Sequence, residues 1–516
     1  MGNKPEKEVQ LQGFVQPLIL TPTNNTPLEY INIDEVISGF EKEETSKEPE
    51  NDNELNKYKR YNRYKDYLKK ICYVFCRSKQ CDSTVNIITH FIPNIKYLCQ
   101  KILSIKKEEN KDIYMCYSCI LGSFMGDALG DDCEFTEYNK ENYKNILSPK
   151  GPWPPGEITD DSEMGLNLSY AIMDMPDIKK LDQKYIFFYY GVWIETNPIA
   201  AGAATKNALK LFKYDEHTKL LYNETKEEED NNNKIMKEII EIIKKVNYNT
   251  LANGHLMRIS TFHVWFYYIN NEEINEILKS NDKNKYLGLY LKLKKELIKD
   301  SSLTHPNEEM PIISSIFSFI IQCALFEYKS KDIINKMNEL LNNDIFNKEN
   351  SLELKVKKFI NDTLNDFKKQ DFDRYIYFNN IFESMGYYVH AIRLSLYYLY
   401  NFGNIQPMKG FTKYRTIMND INNFGGDTDT NSAIVGQLIG PLIGFQNFGT
   451  KELKLILNHV SPSRFQYSAS MAYFFIDYLE KSKKNNFEKN NENIPRFNFI
   501  RNLLKMVYTD IKNEIN

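Results

Sequence analysis

No run of apolar residues in this sequence is long enough to span a membrane. The longest apolar segments, residues 312–326 and 433–445, are short and are interrupted by Ser, Gln, Gly or Pro. A transmembrane helix needs about 20 predominantly apolar residues. We therefore predict a soluble protein that has no membrane partner.

The sequence also lacks an excess of charge of either sign. Its 66 basic and 69 acidic residues give a formal net charge of -3. Nucleic-acid-binding domains usually carry a clear basic excess. The charge balance therefore gives no reason to expect nucleic acid as a partner.

Cysteine is scarce, with eight residues in a chain of 516, and the first residues show no secretory hydrophobic region. A secreted disulfide framework is therefore not expected, and the composition favours reduced thiols in the cytoplasm, with the nucleus left open. Cys116 and Cys119 form a C-x-x-C pair inside an apolar helical run. We interpret their thiols as buried and not as zinc ligands.

Strictly alternating apolar and polar residues are scarce as well, whereas apolar residues three to four positions apart recur along the chain. This spacing is typical of amphipathic helices and not of strands. It is found in residues 113–128, 164–175, 185–193, 312–326, 387–400 and 453–459. The pattern predicts an all-α fold.

Changes in composition divide the chain into four parts. Residues 1–56 are polar and acidic, which is typical of a disordered extension. We predict a helical N-terminal addition in residues 57–111, the main helical domain in residues 112–480, and a polar loop with a C-terminal helix in residues 481–516. Within the main domain, Lys-, Asn- and Glu-rich runs predict polar surface insertions near residues 213–245, 270–299 and 329–369.

A dense acidic motif, Gly425-Gly426-Asp427-Thr428-Asp429-Thr430-Asn431, precedes a helical apolar pattern. Carboxylate and hydroxyl oxygens are the ligands that Mg²⁺, Mn²⁺ and Ca²⁺ prefer, and the glycines allow close backbone approach. An EF-hand is excluded because its sixth position is Ser432 and its twelfth is Leu438. An aspartyl phosphatase nucleophile is disfavoured because the motif is followed by a helix and does not follow an apolar strand.

A second acidic motif, Thr159-Asp160-Asp161-Ser162, lies at the predicted start of another helix. Capping a helix needs only one such residue. Two adjacent carboxylates are costly unless a proton or a cation offsets their repulsion. If the two acidic helix starts converge, they form a site for two cations.

Glycines recur every fourth residue at Gly122, Gly126 and Gly130. This stripe of small residues predicts close packing of one helix against another. Glu134 follows the end of the same helix, where it can project into a site.

Six motifs follow one another along the chain: Gly126-Asp127-Ala128-Leu129-Gly130, Glu134-Phe135, Thr159-Asp160-Asp161-Ser162, Asn253-Gly254-x-x-Met257-Arg258, Thr304-His305 and Gly425-Gly426-Asp427-Thr428-Asp429-Thr430. In this order they resemble the ADP-ribosylglycohydrolase family, which includes dinitrogenase reductase activating glycohydrolase and the ADP-ribosyl-arginine and ADP-ribosyl-serine hydrolases. The resemblance covers about residues 112–475.

The resemblance implies a compact orthogonal helical bundle with two Mg²⁺ or Mn²⁺ ions at its centre. It makes residues 112–480 the catalytic domain. By position in the motifs, the implied metal ligands are Thr159, Asp160, Asp161, Asp427, Asp429 and Thr430.

The resemblance also implies roles for other residues. Glu134 matches a mobile acidic residue over the site and, with Asp160 and Asp161, forms the expected catalytic set. Asp127 is expected to be structural. The implied substrate-binding residues are Asn253 and Gly254 at the diphosphate, His305, and Gly425 and Gly426.

The implied reaction is metal-dependent hydrolysis of the N- or O-glycosidic bond between ADP-ribose and a protein side chain, or of a small ADP-ribose conjugate. The expected partners are ADP-ribose and ADP-ribosylated proteins, and we expect a monomer. A non-catalytic ADP-ribose-binding module and a metal-dependent phosphoesterase stay open as alternatives. A structural role like that of related lens crystallins is disfavoured because the aspartates are retained.

Overall fold

The computed structural model describes residues 93–139, 156–196, 198, 200–221, 225–459 and 467–484. The predicted extension in residues 1–56, most of the helical addition in residues 57–111 and nearly all of the C-terminal segment in residues 481–516 lie outside the described residues. They stay predictions.

The described residues form helices and no β-sheet, which confirms the all-α prediction. Two isolated β-bridges occur among them, between Thr136 and Gly426 and between Ala252 and Tyr387. Within the described part of the chain, no helix combines the length and the apolar character needed to cross a membrane. The helices are α1 (Pro93–Leu103), α2 (Lys111–Gly130), α3 (Asp160–Asp174), α4 (Gln183–Glu195), α5 (Ala203–Leu209), α6 (Tyr214–His217), α7 (Lys226–Asn247), α8 (Ser260–Ser280), α9 (Lys283–Ser301), α10 (Glu309–Leu325), α11 (Ser330–Leu341), α12 (Leu352–Asp366), α13 (Arg374–Tyr377), α14 (Tyr388–Tyr400), α15 (Lys413–Phe424), α16 (Thr428–Ile443), α17 (Thr450–Asn458) and α18 (Ala472–Lys484).

Helices α2 and α16 pack against each other with almost nothing between their backbones. A Cβ atom added to Gly122 would overlap the carbonyl oxygen of Gly436, and one added to Gly130 would overlap the backbone of Asp429. Both helices are buried along most of their length. The prediction that the glycine stripe allows close helix packing is confirmed.

This contact places the end of α2 beside the start of α16. Carbonyl groups in the last turn of a helix have no partner within the helix. Here the Thr428 hydroxyl donates to the Gly130 carbonyl at 2.6 Å, and the Asn422 amide donates to the Leu129 carbonyl at 2.6 Å. The acidic motif therefore begins where α2 ends.

The polar ranges predicted as surface insertions contain helices with one buried apolar face. On α7 this face includes Met236, Ile239 and Ile243, and on α9 it includes Leu289 and Leu293. The charged residues of these helices lie mainly on the opposite, solvent-facing side. That these ranges are insertions into the family's domain stays a prediction.

The cysteines of the described residues are buried: Cys99, Cys116, Cys119, Cys133 and Cys323. Burial raises the pKa of the Cys116 thiol well above its ordinary value. A thiol with a raised pKa is a poor nucleophile and a poor metal ligand at neutral pH. The interpretation of Cys116 and Cys119 as buried thiols is confirmed.

We predict that Gly436→Ala lowers the free energy of unfolding by about 3 kcal/mol, because the added methyl group forces α2 and α16 apart. The matched control is Gly288→Ala in α9, where an added Cβ meets nothing within 4 Å. The control should gain about 0.5–1 kcal/mol from its lower backbone entropy when unfolded. Urea denaturation of both variants measures the difference, and equal stabilities would contradict the prediction.

Candidate metal centre

The first acidic motif is held in place by Asp127, which lies near the end of α2. Its carboxylate accepts hydrogen bonds from the Thr159 amide at 3.0 Å, the Thr159 hydroxyl at 2.7 Å and the Ser162 amide at 3.2 Å, and also from the Ser162 hydroxyl. A negative charge at a helix start satisfies free amide groups and complements the helix dipole. Asp127 therefore fixes the start of α3, in agreement with the structural role implied by the resemblance.

The second acidic motif begins with two glycines, Gly425 and Gly426, which precede α16 and have left-handed backbone conformations. Gly425 has a φ angle of 72° and Gly426 one of 79°. The Gly426 amide donates to the Thr136 carbonyl at 2.8 Å, and the Phe135 amide donates to the Gly426 carbonyl at 2.8 Å. A Cβ atom at Gly425 would overlap the Thr136 carbonyl oxygen. The glycines thus hold the segment that carries Glu134 against the start of α16.

The structure brings the two acidic helix starts together. Carboxylate oxygens of Asp127, Asp161 and Asp429 lie within 4.8 Å of one another, and so do those of Glu134, Asp427 and Asp429. Asp429 belongs to both groups. We call Asp127, Glu134, Asp161, Asp427 and Asp429 the acid cluster.

Burial raises the pKa values of these carboxyl groups, and repulsion from neighbouring carboxylates adds to the rise at Glu134, Asp161 and Asp429. The pKa of Glu134 rises to about 8, chiefly through burial and then through Asp427 and Asp160. Burial is also the main cause for Asp160, with a pKa of about 7, and for Asp127, with a pKa of about 6. The cluster therefore takes up protons when no cation is bound.

The donor set fits a divalent cation. The Oδ1 atom of Asp161 is buried and has no hydrogen-bond partner, and the pKa of Asp161 lies well above its ordinary value, first because of burial and then because of Asp127 and Asp160. A buried carboxylate oxygen without a donor is costly. A hard cation such as Mg²⁺ or Mn²⁺ would supply the missing partner.

The remaining predicted ligands lie beside these groups. Thr159 and Asp160 are 7% and 9% exposed, and Thr430 is 6% exposed. The Thr430 amide donates to Asp429 Oδ1 at 2.8 Å. Asp160 belongs to neither three-carboxylate group, although Asp427 contributes to its raised pKa. Metal ligation by these three residues, as by Asp161, Asp427 and Asp429, stays a prediction.

The predicted substrate loop reaches the acid cluster through Asn253. Its Nδ2 atom donates to Asp427 Oδ2 at 2.7 Å. His305 lies behind the loop: it is 1% exposed, and a Cβ atom at Gly254 would lie 3.0 Å from its Cε1 atom. The Thr304 hydroxyl lies 2.9 Å from His305 Nδ1. The buried His305 ring thus packs against Gly254. Its contact with substrate stays a prediction.

A buried ion pair holds the end of the same loop. Asp300 Oδ2 lies 3.1 Å from Arg258 Nε and 3.0 Å from Arg258 Nη2, and both side chains are almost fully buried. The Tyr190 hydroxyl donates to Asp300 Oδ1 at 2.6 Å, and the Arg258 guanidinium lies 4.7 Å from the centre of the Tyr190 ring. This network joins the Asn253 loop to α4 and α9. Sequence analysis did not single out Asp300, since it ends a charged run and no local pattern marks it.

Two further features near the site were not predicted. Ile381 and Met385 lie against Gly426, with Ile381 Cγ2 2.7 Å from the position that a Cβ atom would take. Phe135 has a φ angle of 60°, which is unusual for a bulky residue, and it is 64% exposed. Apolar residues in turns give no periodic signal, so the sequence does not distinguish them from other loop residues.

The ADP-ribosylglycohydrolase family matches residues 115–459, more than half of the chain and a range that includes the whole acid cluster. The chain belongs to the ADP-ribosylglycohydrolase family.

A viral protein similar to this chain carries a name of the same family. A protein of Acanthamoeba polyphaga mimivirus with a provisional ADP-ribosyl glycohydrolase name is 27% identical over 360 residues, covering 68% of this chain and 92% of the relative. A solved structure described as an ADP-ribosylglycohydrolase-related protein complex has a TM-score of 0.40 and 17% identity, and the match covers 71% of this chain and 98% of that one. At that TM-score the structural likeness adds no argument.

We predict that the thermal stability of this glycohydrolase family member, without metal, falls between about pH 7 and about pH 8.5. Carboxyl groups with raised pKa values, among them Asp160 at about 7 and Glu134 at about 8, bind protons more tightly in the folded than in the unfolded chain. Stability is therefore lost as the pH rises through those values. We place the lower limit of this pH range above 6.5, the ordinary pKa of histidine. Below that value buried His255, whose pKa is lowered to about 3, makes stability rise with pH and so opposes the effect of the carboxyl groups.

Differential scanning fluorimetry in EDTA, Mg²⁺ and Mn²⁺ tests this prediction. Either cation should restore the melting temperature at the higher pH, since ligands that bind only the folded state stabilise it. In Asp429→Asn, which loses the carboxylate shared by both groups, both the fall with pH and the effect of the cations should shrink. A melting temperature in EDTA that does not fall with pH would contradict the prediction.

We also predict that Asp300→Ala destabilises the protein by about 3–5 kcal/mol, because it leaves the buried Arg258 without its counter-charge. The double variant Arg258→Met, Asp300→Leu removes both charges and should cost much less. Urea denaturation measures both. If the single variant is no less stable than the double variant, the ion pair is not what holds the loop.

Proposed function

We propose that this chain is a metal-dependent glycohydrolase that removes ADP-ribose from modified protein side chains, by hydrolysis of an N- or O-glycosidic bond, or from a small ADP-ribose conjugate. Membership of the family suggests ADP-ribosylglycohydrolase activity. The observation that carries the proposal is the pair of three-carboxylate groups that share Asp429.

Two cations, Mg²⁺ or Mn²⁺, are the proposed cofactors. Asp161 and Asp429 would hold one of them and Asp427 and Asp429 the other, with Thr159, Asp160 and Thr430 as further ligands. Bound divalent cations polarise substrate oxygens and lower the pKa of a bound water. Because Asp429 belongs to both three-carboxylate groups, it would be a ligand common to the two cation sites.

The residues of the chain supply the proton transfers. Glu134 is partly buried and forms one three-carboxylate group with Asp427 and Asp429. It would cover the site and either donate a proton to the departing acceptor group or orient the sugar. Asp160 or Asp161 accepts a proton from the attacking water, and the surrounding carboxylates stabilise positive charge at the anomeric carbon. Bound cations lower the pKa values of these carboxyl groups towards their ordinary range.

The proposal extends to partners and location. The substrates are ADP-ribosylated proteins or ADP-ribose conjugates, with Asn253, Gly254, His305, Gly425 and Gly426 in the substrate-binding set. We propose a monomer that acts in the cytoplasm or the nucleus, without a nucleic acid or membrane partner.

The test is release of ADP-ribose from arginine-linked and serine-linked ADP-ribosylated proteins in Mg²⁺, Mn²⁺ or EDTA. We predict that the double variant Asp427→Ala, Asp429→Ala and the EDTA sample each lose at least about 100-fold in rate, since a cation contributes several kcal/mol to the transition state. The matched control is Glu272→Ala, Glu276→Ala, which removes two exposed acidic groups from α8. The control should keep the wild-type rate.

Release that persists both in EDTA and in the double variant would contradict the two-cation mechanism. If the wild-type protein binds ADP-ribose and releases it from neither linkage, the chain is a binding module. Phosphate release from phosphomonoesters without release of ADP-ribose would identify a phosphoesterase instead.

A further inference from the structure

Asn253 makes a direct side-chain hydrogen bond to the acid cluster from outside the two acidic motifs. It is 4% exposed, and its Nδ2 atom lies 2.7 Å from Asp427 Oδ2. An amide nitrogen can only donate, so the oxygen that it contacts is the acceptor. One lone pair of Asp427 is therefore directed at the loop and not at the centre of the cluster.

The backbone of its own helix does not orient Asp427, and its carboxylate is held by side chains alone: Asn253 from the loop, and Asp429 and Thr430 from α16. It is the residue before α16, but its side chain makes no capping hydrogen bond to the start of that helix. Asp429 differs, since it accepts from the Thr430 amide at 2.8 Å. A carboxylate without local backbone donors is free to rotate unless a neighbouring side chain holds it.

Asn253 is itself held firmly. Its backbone N–H donates to the Gly386 carbonyl at 2.9 Å, and the backbone N–H of Tyr388 donates to the Leu251 carbonyl at 3.1 Å. Four residues downstream of Gly254, the buried Arg258 pairs with Asp300 at 3.0 Å. The loop is thus fixed on both sides of Asn253, so its amide is placed before any ligand arrives.

We infer that Asn253 is a positioning residue of the cation site: its amide holds the Asp427 carboxylate in the orientation in which Asp427 groups with Asp429 and Glu134. The inference rests on the proposed function and deepens it, because it gives this residue a role at the cations in addition to the expected role at the diphosphate. Residues that orient metal ligands typically contribute 10–100-fold to metal affinity.

The hydrogen bond between Asn253 and Asp427 also couples the cation site to the predicted substrate loop. If one hydrogen bond joins the diphosphate loop to a cation ligand, order at either place favours order at the other. Such coupling is reciprocal: the factor by which a cation strengthens ADP-ribose binding equals the factor by which ADP-ribose strengthens cation binding. Loss of the Asn253 amide should reduce both factors together.

The experiment is calorimetric titration of Mn²⁺ into the metal-free full chain without ADP-ribose. Asn253→Ala removes the amide, and Asn253→Asp keeps its shape but replaces the donor with an acceptor. Both variants should bind Mn²⁺ about 10–100-fold more weakly than the wild type. The matched control is Asn343→Ala, another buried amide, whose hydrogen bonds to Lys283 and Leu340 carbonyls join α9 and α11. It should stay within about twofold of the wild type.

Two further measurements separate positioning from simple damage. Thermal unfolding in EDTA should show that the isosteric Asn253→Asp protein is folded even if Asn253→Ala is not. ADP-ribose affinity in EDTA reports direct contact with the diphosphate, whereas Mn²⁺ affinity without ADP-ribose reports positioning of Asp427. If Asn253 acts at the diphosphate alone, its substitution should weaken ADP-ribose binding in EDTA and leave Mn²⁺ affinity unchanged.

Mn²⁺ affinity of Asn253→Ala within about twofold of the wild type would overturn the inference, as would tighter Mn²⁺ binding by Asn253→Asp. Hydrolysis that depends on cations in the wild type, with unchanged Mn²⁺ affinity in both variants, leaves the proposed function standing and removes only the positioning role. If the wild type binds Mn²⁺, both variants bind it more weakly and no ADP-ribose is released, the positioning role stands and the proposed hydrolase function is overturned. A wild type that binds no cation would overturn both.

Discussion

Helices α2 and α16 touch backbone to backbone, and the acid cluster depends on that contact. It sets the distance between Asp127, near the end of one helix, and Asp429, in the first turn of the other. Asp127 in turn fixes the start of α3 through four hydrogen bonds, and so places Asp161. Three helices separated widely in sequence therefore meet through one tight pair.

Burial of the acid cluster suits it to cation binding but lowers the stability of the folded chain. Carboxylates removed from water and crowded together repel one another, and their pKa values rise in response. Protons offset this repulsion at low pH, and cations can do so at neutral pH. The fold tolerates the cluster because the surrounding contacts, such as the buried pair of Arg258 and Asp300, hold the backbone in place.

The sequence predicted those features that arise from local patterns: the helical class from apolar spacing, the tight helix pair from the glycine stripe, and the acidic helix starts from composition. Its limits lie in long-range pairing. Arg258 and Asp300 are 42 residues apart, and Asn253 and Asp427 are 174 apart, so no periodicity connects them. His305 shows the same limit, because a motif identifies the residue but does not reveal that its ring is buried beneath Gly254.

The contact between Gly122 and Gly436 also limits how this chain can diverge. Helices α7 and α12 lie between the segments that carry the site, in ranges predicted to be insertions. A single methyl group at Gly436 meets the facing backbone at once. A lineage that keeps the close packing of α2 and α16 is therefore expected to keep glycine at both positions.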